Sequence, residues 1–197
     1  MNKRRDEELL ADHLNGEAGA FDELVNRYAD ELFGFVYRIV HNTAAADDLV
    51  QEAFLQMHLA ANSFDPRRKL RPWLYTIAAN KARDYLRGRG RRSEQSLESR
   101  SGDDDMPGLG SLLEAEGDSA ATATAADQTR DDVRRVIAEM PEHLRLILVL
   151  GYYHQLPYAE IAEILDIPVG TVKSRLHSAV NHFARLWKSR SDGEPPE

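Results

Sequence analysis

The stretch Thr171-Val-Lys-Ser-Arg-Leu-His-Ser-Ala-Val-Asn-His-Phe-Ala-Arg-Leu-Trp187 decides how this chain is read. Wound as a helix, it sets Val172, Leu176, Ala179 and Phe183 on one side and Thr171, Ser174, Arg175 and Ser178 on the other. The first side is a core stripe; the second carries groups that hydrogen-bond base edges or phosphates. Upstream, Tyr158-Ala-Glu-Ile-Ala-Glu-Ile-Leu165 is a shorter amphipathic helix with Ile161, Ala162 and Leu165 inward. Asp166-Ile-Pro-Val-Gly170 joins the two as a turn punctuated by Pro and Gly. Helix, tight turn and second helix with a polar outer face is the pattern of a helix-turn-helix DNA reader. The plain alternative is a helical hairpin buried in an all-α core. In a reader, Arg175 pairs bidentately with a guanine while Lys173 and His177 flank toward phosphates.

Net charge, −8 over 197 residues, argues against a nucleic-acid partner until its distribution is followed. Ser93 to Thr129 holds nine acidic residues and one Arg, so the rest of the chain is balanced. Within that remainder, Arg67 to Arg92 has ten Lys or Arg against Asp84 alone, and Lys173 to Arg190 adds five basic residues and no acid. Two basic patches therefore flank an acidic strip. Cysteine is absent, which excludes disulfides and thiolate metal sites. No apolar run approaches the roughly 20 residues of a membrane span, and the N-terminus is charged with no apolar signal core. A cytoplasmic protein without membrane insertion is expected.

The periodicity predicts an all-α fold of two helical domains joined by a flexible acidic linker. The first domain covers 5–92, with helical spacing from Phe21 to Val40, a cap at Asn42 or Thr43, and Asp47 and Asp48 in the first turn that follows. A loop runs from about Asn62 to Arg71, and Pro72 suits the first turn of a third long helix through Arg87. The linker spans 93–129, with at most a local helix near Leu112. The second domain covers 130–188: Val133, Val136, Ile137 and Met140 form one stripe, Pro141 ends that helix, and Leu144 to Tyr152 starts the next. Residues 189–197 read as a disordered tail.

Two further constellations lie in the first domain. On the helix over 44–61, Leu49, Val50, Ala53 and Met57 point one way, and Asp48, Gln51, Glu52 and Leu55 the other, with Asp47 beside them. An acid-amide face around an exposed Leu suits a basic helical partner, against the plain alternative of a solvated face. On the third helix Trp73, Thr76, Asn80, Arg83, Asp84 and Arg87 make one stripe, with Leu74, Ala78, Ala82 and Tyr85 inward. Phe64 and Trp73 stand among Arg67, Arg68, Lys69 and Arg71, and cations with interleaved rings are what single-stranded DNA needs. Trp73 serves equally well as core, so Phe64 is the better candidate. His13, His41, His58, His143, His154, His177 and His182 are scattered without metal-ligand spacing. Gly88-Arg-Gly90 is no phosphate loop, and neither an enzyme nor a cofactor is expected.

These motifs together resemble the bacterial RNA polymerase sigma factors of the extracytoplasmic-function (ECF) group. Asp47-Asp-Leu-Val-Gln-Glu-Ala-Phe54 is similar to the core-polymerase-binding segment, Arg71 to Arg87 to the promoter-melting and minus-ten helix, and Gly170-Thr-Val-Lys-Ser-Arg-Leu176 to the minus-thirty-five reader. The resemblance implies that Asp47, Asp48, Gln51, Glu52 and Leu55 dock on the basic coiled coil of the polymerase's largest subunit. It implies that Ser63, Phe64, Trp73, Thr76, Asn80, Arg83, Asp84 and Arg87 melt promoter DNA and hold the minus-ten strand, with Phe64 and Asn80 capturing a flipped base. It implies that Thr171, Lys173, Ser174, Arg175, His177 and Ser178 read the minus-thirty-five duplex, that Leu144 to Tyr152 partly meets the polymerase flap, and that the acidic linker either mimics nucleic acid in the RNA channel or merely tethers. The chain stops soon after the reader helix, so control by a separate anti-sigma protein is the implied default, with no obligate homo-oligomer. The unusually basic loop Pro66 to Arg71 departs from the pattern toward nonspecific phosphate contact. A stand-alone helix-turn-helix regulator would explain the reader and predicts a dimer by light scattering. It leaves the acid-amide face and the basic-aromatic patch without purpose. A helical adaptor would explain only the acidic face.

Overall fold

The computed structural model describes residues 4–98 and 125–192. The middle of the expected linker, the helix expected near Leu112 and the last five residues of the expected tail lie outside them. Among the described residues all regular structure is helical: α1 (Asp6–Leu14), α2 (Ala20–Val40), α3 (Thr43–Ala60), α4 (Leu70–Glu98), α5 (Ala125–Glu139), α6 (Glu142–Leu148), α7 (Tyr158–Leu165) and α8 (Val169–Asp192). A short 3-10 turn, Ala61–Ser63, follows α3, and a π-turn, Val149–Tyr153, follows α6. No described helix is long and apolar enough to cross a membrane.

α2 forms the centre of the first half because Leu24, Tyr28, Leu32, Phe35, Val36 and Ile39 recur every three or four residues and are all buried. Gly16 and Gly19, at φ +84° and +80°, make the left-handed turn that brings α1 back onto it. Asp6 of α1 accepts from Arg27 Nη1 at 2.6 Å, and Glu7 Oε1 accepts the Leu70 backbone N–H at 3.0 Å, capping α4. Asn42 is the cap of α3, its Oδ1 accepting from Ala45 N at 2.7 Å. Because α3 therefore starts at Thr43, Asp47 and Asp48 lie beyond its first turn, which holds no acidic residue. The expected dipole benefit is thus absent, since it fades within one turn.

The ends of several helices also differ from expectation. α4 continues past Arg87 to Glu98, α5 already begins at Ala125, and α8 reaches Asp192. In the second half Val136, Ile137 and Met140 are buried as expected, and Pro141 stands at the N-cap of α6. The expected single helix through Tyr152 instead widens into the π-turn. Gly151 sits there because a Cβ would come within 3.1 Å of Leu176 Cδ1 on α8.

The two halves share one apolar core. Arg145 of α6 is buried among carbonyls at its seam: Nη1 donates to Ile39 O at 2.6 Å, Nη2 to Ala138 O and Met140 O, both at 2.9 Å. One cation thus meets the C-terminal ends of α2 and α5, where the helix dipoles favour it. Next to it His41, at φ +52°, has its imidazole pulled down to about 4, first by burial and then by the Arg145 charge. A depressed histidine pKa means the unfolded chain takes up the proton first. Stability is therefore held above pH 6.5 and lost as the pH falls toward 4, by about 2–3 kcal/mol. His41→Asn keeps a residue that accepts positive φ and removes the titrating ring. Urea unfolding from pH 7 to pH 4 is expected to show a shallower acid limb for the variant; identical limbs would exclude His41 as its source.

Candidate nucleic-acid and partner interfaces

Three surfaces are built from these helices. On α3, Leu49, Val50, Ala53 and Met57 are buried, which forces Asp47, Asp48, Gln51, Glu52 and Leu55 outward, and all five are exposed. The face is larger than expected, because Leu59 is 67% exposed, more than Leu55 at 57%. Its i,i+4 spacing from Leu55 was the available signal. Glu52 Oε2 accepts from Lys81 Nζ at 2.9 Å, whereas the carboxylates of Asp47 and Asp48 meet no side-chain partner among the described residues. Two free carboxylates beside two exposed leucines form a surface for a cationic, partly apolar helix.

The second surface combines the loop after α3 with the first four turns of α4. Ser63 donates from Oγ to Ala60 O at 2.7 Å, closing the 3-10 turn. Phe64 is not free in the polar loop: it is half-buried, with its ring 4.9 Å from that of Trp73. The two aromatics form one unit, so the separate weighing of each does not hold in this structure. Trp73, Thr76, Asn80 and Arg83 come together on one side of α4 and line a cavity of about 540 Å³. Thr76 Oγ1 is spent on Pro72 O at 2.8 Å, while Asn80 Oδ1 accepts from Arg83 Nη1 at 3.2 Å. Asp84 and Arg87, farther along α4, are exposed and pair with each other at 3.8 Å. In the loop, Asp65 is bound by Arg67, which holds its carboxyl below the usual range. The rest of the loop stays cationic.

The third surface belongs to α8. Val172 and Ala179 are buried and Leu176 and Phe183 pack against the core, so Lys173, Ser174, His177 and Ser178 project into solvent and Thr171 and Arg175 are half-exposed. Asp166, in the left-handed conformation at φ +52°, stops α7, and Ile167 N donates to Ala162 O at 3.0 Å. Thr171 N donates to Pro168 O at 2.8 Å and starts α8. This geometry leaves the polar side of the first turns of α8 facing outward.

Sequence reasoning passed over one cluster. His154, after the π-turn, shares a hydrogen bond of 3.0 Å with the Tyr75 hydroxyl and lies 3.6 Å from Glu31 Oε1. Glu31 is also paired with Arg71. His154 foremost, helped by Tyr75 and Arg71 and opposed by burial, holds the Glu31 carboxyl down at about 2. No periodicity links residues 79 positions apart, so nothing in the chain announced this contact. Among the described residues no group of three or more His, Asp or Glu side chains is arranged to hold a metal.

The chain is similar to known proteins over both of its halves. The family model of sigma-70 region 2 matches residues 24–92 and that of sigma-70 region 4 matches residues 130–183. The chain is 34% identical over 179 residues to the RNA polymerase sigma-H factor of Pseudomonas aeruginosa, covering 91% of this chain and 92% of that one. It is 34% identical to the ECF RNA polymerase sigma factor SigW of Bacillus subtilis over 82% of this chain and 86% of that one. The fold matches the solved sigma factor RpoE of Bartonella quintana, bound there to the anti-sigma factor NepR, with a TM-score of 0.67 over 87% of this chain and 98% of that one, at 22% identity.

Proposed function

The chain belongs to the ECF group of RNA polymerase sigma factors, and we propose that its three exposed faces divide the work of transcription initiation. The protein is a transcription initiation factor that binds core RNA polymerase and promoter DNA. In this division the α3 face, Asp47, Asp48, Gln51, Glu52, Leu55 and Leu59, docks on a basic helical element of the polymerase. The α4 face and its loop take the minus-ten element: Phe64 and Trp73 supply rings, Asn80 a hydrogen-bonding amide, and Arg83 with the loop cations the phosphate charge. Melting is uphill by a few kcal/mol per flipped base, and stacking worth about 1–3 kcal/mol per base offsets it. α8 lies in the major groove of the minus-thirty-five element. The bond-making chemistry belongs to the polymerase, with no catalysis or cofactor from this chain. The working form is a cytoplasmic, monomeric subunit held in check by a separate anti-sigma protein, as its structural relative is by NepR.

The observation that supports the reading is the segregation on α3: its apolar residues are buried and an acid-amide-leucine face is left outward, on the same chain as two cationic surfaces. A stand-alone regulator has no use for that face. The test is addition of the purified protein to sigma-free core polymerase on a genomic fragment library. Specific transcripts preceded by two spaced elements are expected; a folded protein that fails to bind core would return the stand-alone regulator.

Arg175→Ala is expected to cost about 1–3 kcal/mol of discrimination at a single minus-thirty-five base pair, as loss of one bidentate contact does. Competition binding of holoenzyme to duplexes varied one position at a time measures it. A uniform loss across all sequences would instead make Arg175 a phosphate contact.

A further inference from the structure

The helix assigned to the melted strand begins without a cap of its own. α4 starts at Leu70, and the residue before it is Lys69, whose ammonium donates hydrogen bonds but cannot accept them. The first N–H groups of a helix have no partner within it. Pro72 removes one of them, since proline has no N–H. Another is met from outside: Glu7 Oε1 of α1 accepts the Leu70 N–H at 3.0 Å, across 63 positions of sequence. Leu70 is fully buried, so water cannot easily replace that oxygen. The carboxylate also sets a negative charge at the positive end of the α4 dipole. α1 is itself anchored, because the neighbouring Asp6 accepts from Arg27 Nη1 at 2.6 Å and from the Tyr28 hydroxyl, both on α2. α1 lies outside residues 24–92, the span that matches the region 2 family model.

We propose that Glu7 is a positioning residue for strand capture: its carboxylate, carried on α1, caps α4 and fixes the first turn from which Trp73 projects. The proposal rests on the assignment of that face to the minus-ten strand above. Leu70 is the point where the capture loop becomes helix, and Trp73, one turn later, rests against Phe64 with 4.9 Å between ring centroids. A first turn that frays moves this aromatic pair relative to Asn80, two turns farther along. The rest of α4 does not depend on Glu7, because Leu74, Tyr75, Ala78, Ala79 and Ala82 are buried along its inner side. Loss of the cap therefore loosens the capture surface without unfolding the domain. Core docking and upstream reading are spared, since those faces belong to α3 and α8.

Three variants of the full chain separate the bond from the charge. Glu7→Ala removes both, Glu7→Asp keeps the charge on a shorter arm, and Glu7→Gln keeps an acceptor oxygen at the original reach. In the free protein, hydrogen exchange at the Leu70 amide, followed by NMR, is expected to speed up roughly tenfold in Glu7→Ala and Glu7→Asp and to stay near wild type in Glu7→Gln. Reconstituted with core polymerase, the first two are expected to bind a labelled single strand of the minus-ten sequence about fivefold more weakly, with core affinity and minus-thirty-five duplex binding unchanged. They stay slow on a template already unpaired across the minus-ten region, because the surface that holds the strand is itself displaced. The contrast of Asp with Gln serves even where Glu7→Ala folds poorly. Wild-type Leu70 exchange or strand affinity in Glu7→Ala or Glu7→Asp, a defect shared by Glu7→Gln, or equal losses of core and upstream binding would overturn the positioning role and leave the functional reading intact. Wild-type holoenzyme that holds the minus-ten strand no better than a scrambled one would overturn the functional reading, and the positioning role with it.

Discussion

Asp48→Arg is expected to lower affinity for core RNA polymerase, and with it initiation, by more than about a hundredfold. Asp48 is exposed on α3 and its carboxylate meets no side-chain partner within the described residues, so its charge is fully available to another protein. Reversal removes a favourable pair and sets like charges face to face. Close interfacial charge pairs couple by about 1.5–7 kcal/mol, and about 3 kcal/mol is already more than a hundredfold. The substitution should barely touch the fold, because exposed positions away from caps and networks change stability by about 0.5 kcal/mol or less. Glu52→Arg supplies an internal comparison. Glu52 already pairs with Lys81, so part of its charge is satisfied within the chain and its reversal should cost less at the polymerase. Pull-down by sigma-free core, with urea midpoints as the folding control, measures both. Wild-type co-purification of the Asp48 variant would remove α3 as the docking face.

Much of this surface logic was legible in the sequence because it is local. A helix wheel sees residues three or four apart, and Leu49, Val50, Ala53, Met57, Val172 and Ala179 are buried as their spacing requires. The same locality explains the misses. The third helix is expected to run through Arg87, and glycine at 88 and 90 costs about 1 kcal/mol each in a helix, yet α4 passes through both to Glu98. The one-residue choice between Asn42 and Thr43 as cap decides where the first turn of α3 falls, and with it whether Asp47 feels the helix dipole. The contacts of Arg145 with Ile39, of His154 with Tyr75, and of Glu160 with Lys69 join residues 79 to 106 positions apart. A single chain carries no periodic trace of such pairs. The acidic strip of the linker shows in the charge count, but the carboxylates that pair with Arg68, Lys69 and Arg83 are Glu163, Glu160 and Glu142 of α7 and α6.

Asn80→Ala is expected to slow open-complex formation by roughly 10–100-fold on duplex promoters while leaving the initial closed complex nearly unchanged. Asn80 is exposed on α4 beside Trp73 and Thr76, and Arg83 already donates to its Oδ1, which leaves the amide nitrogen free to donate to a base edge. That bond exists only once a base has left the stack, so it lowers the barrier to melting without strengthening duplex binding. Loss of about 1.4–2.8 kcal/mol at that barrier corresponds to the stated range. Asn80 is a cleaner probe than Phe64, because Phe64→Ala also removes the ring against which Trp73 rests. On a template already unpaired across the minus-ten region, the unstacking cost has been met in advance, and the variant should recover most of its rate. Rapid-mixing measurements on matched duplex and bubble templates separate the two steps. An Asn80 variant equally slow on both would show that the residue supports the fold of the capture surface and takes no part in melting.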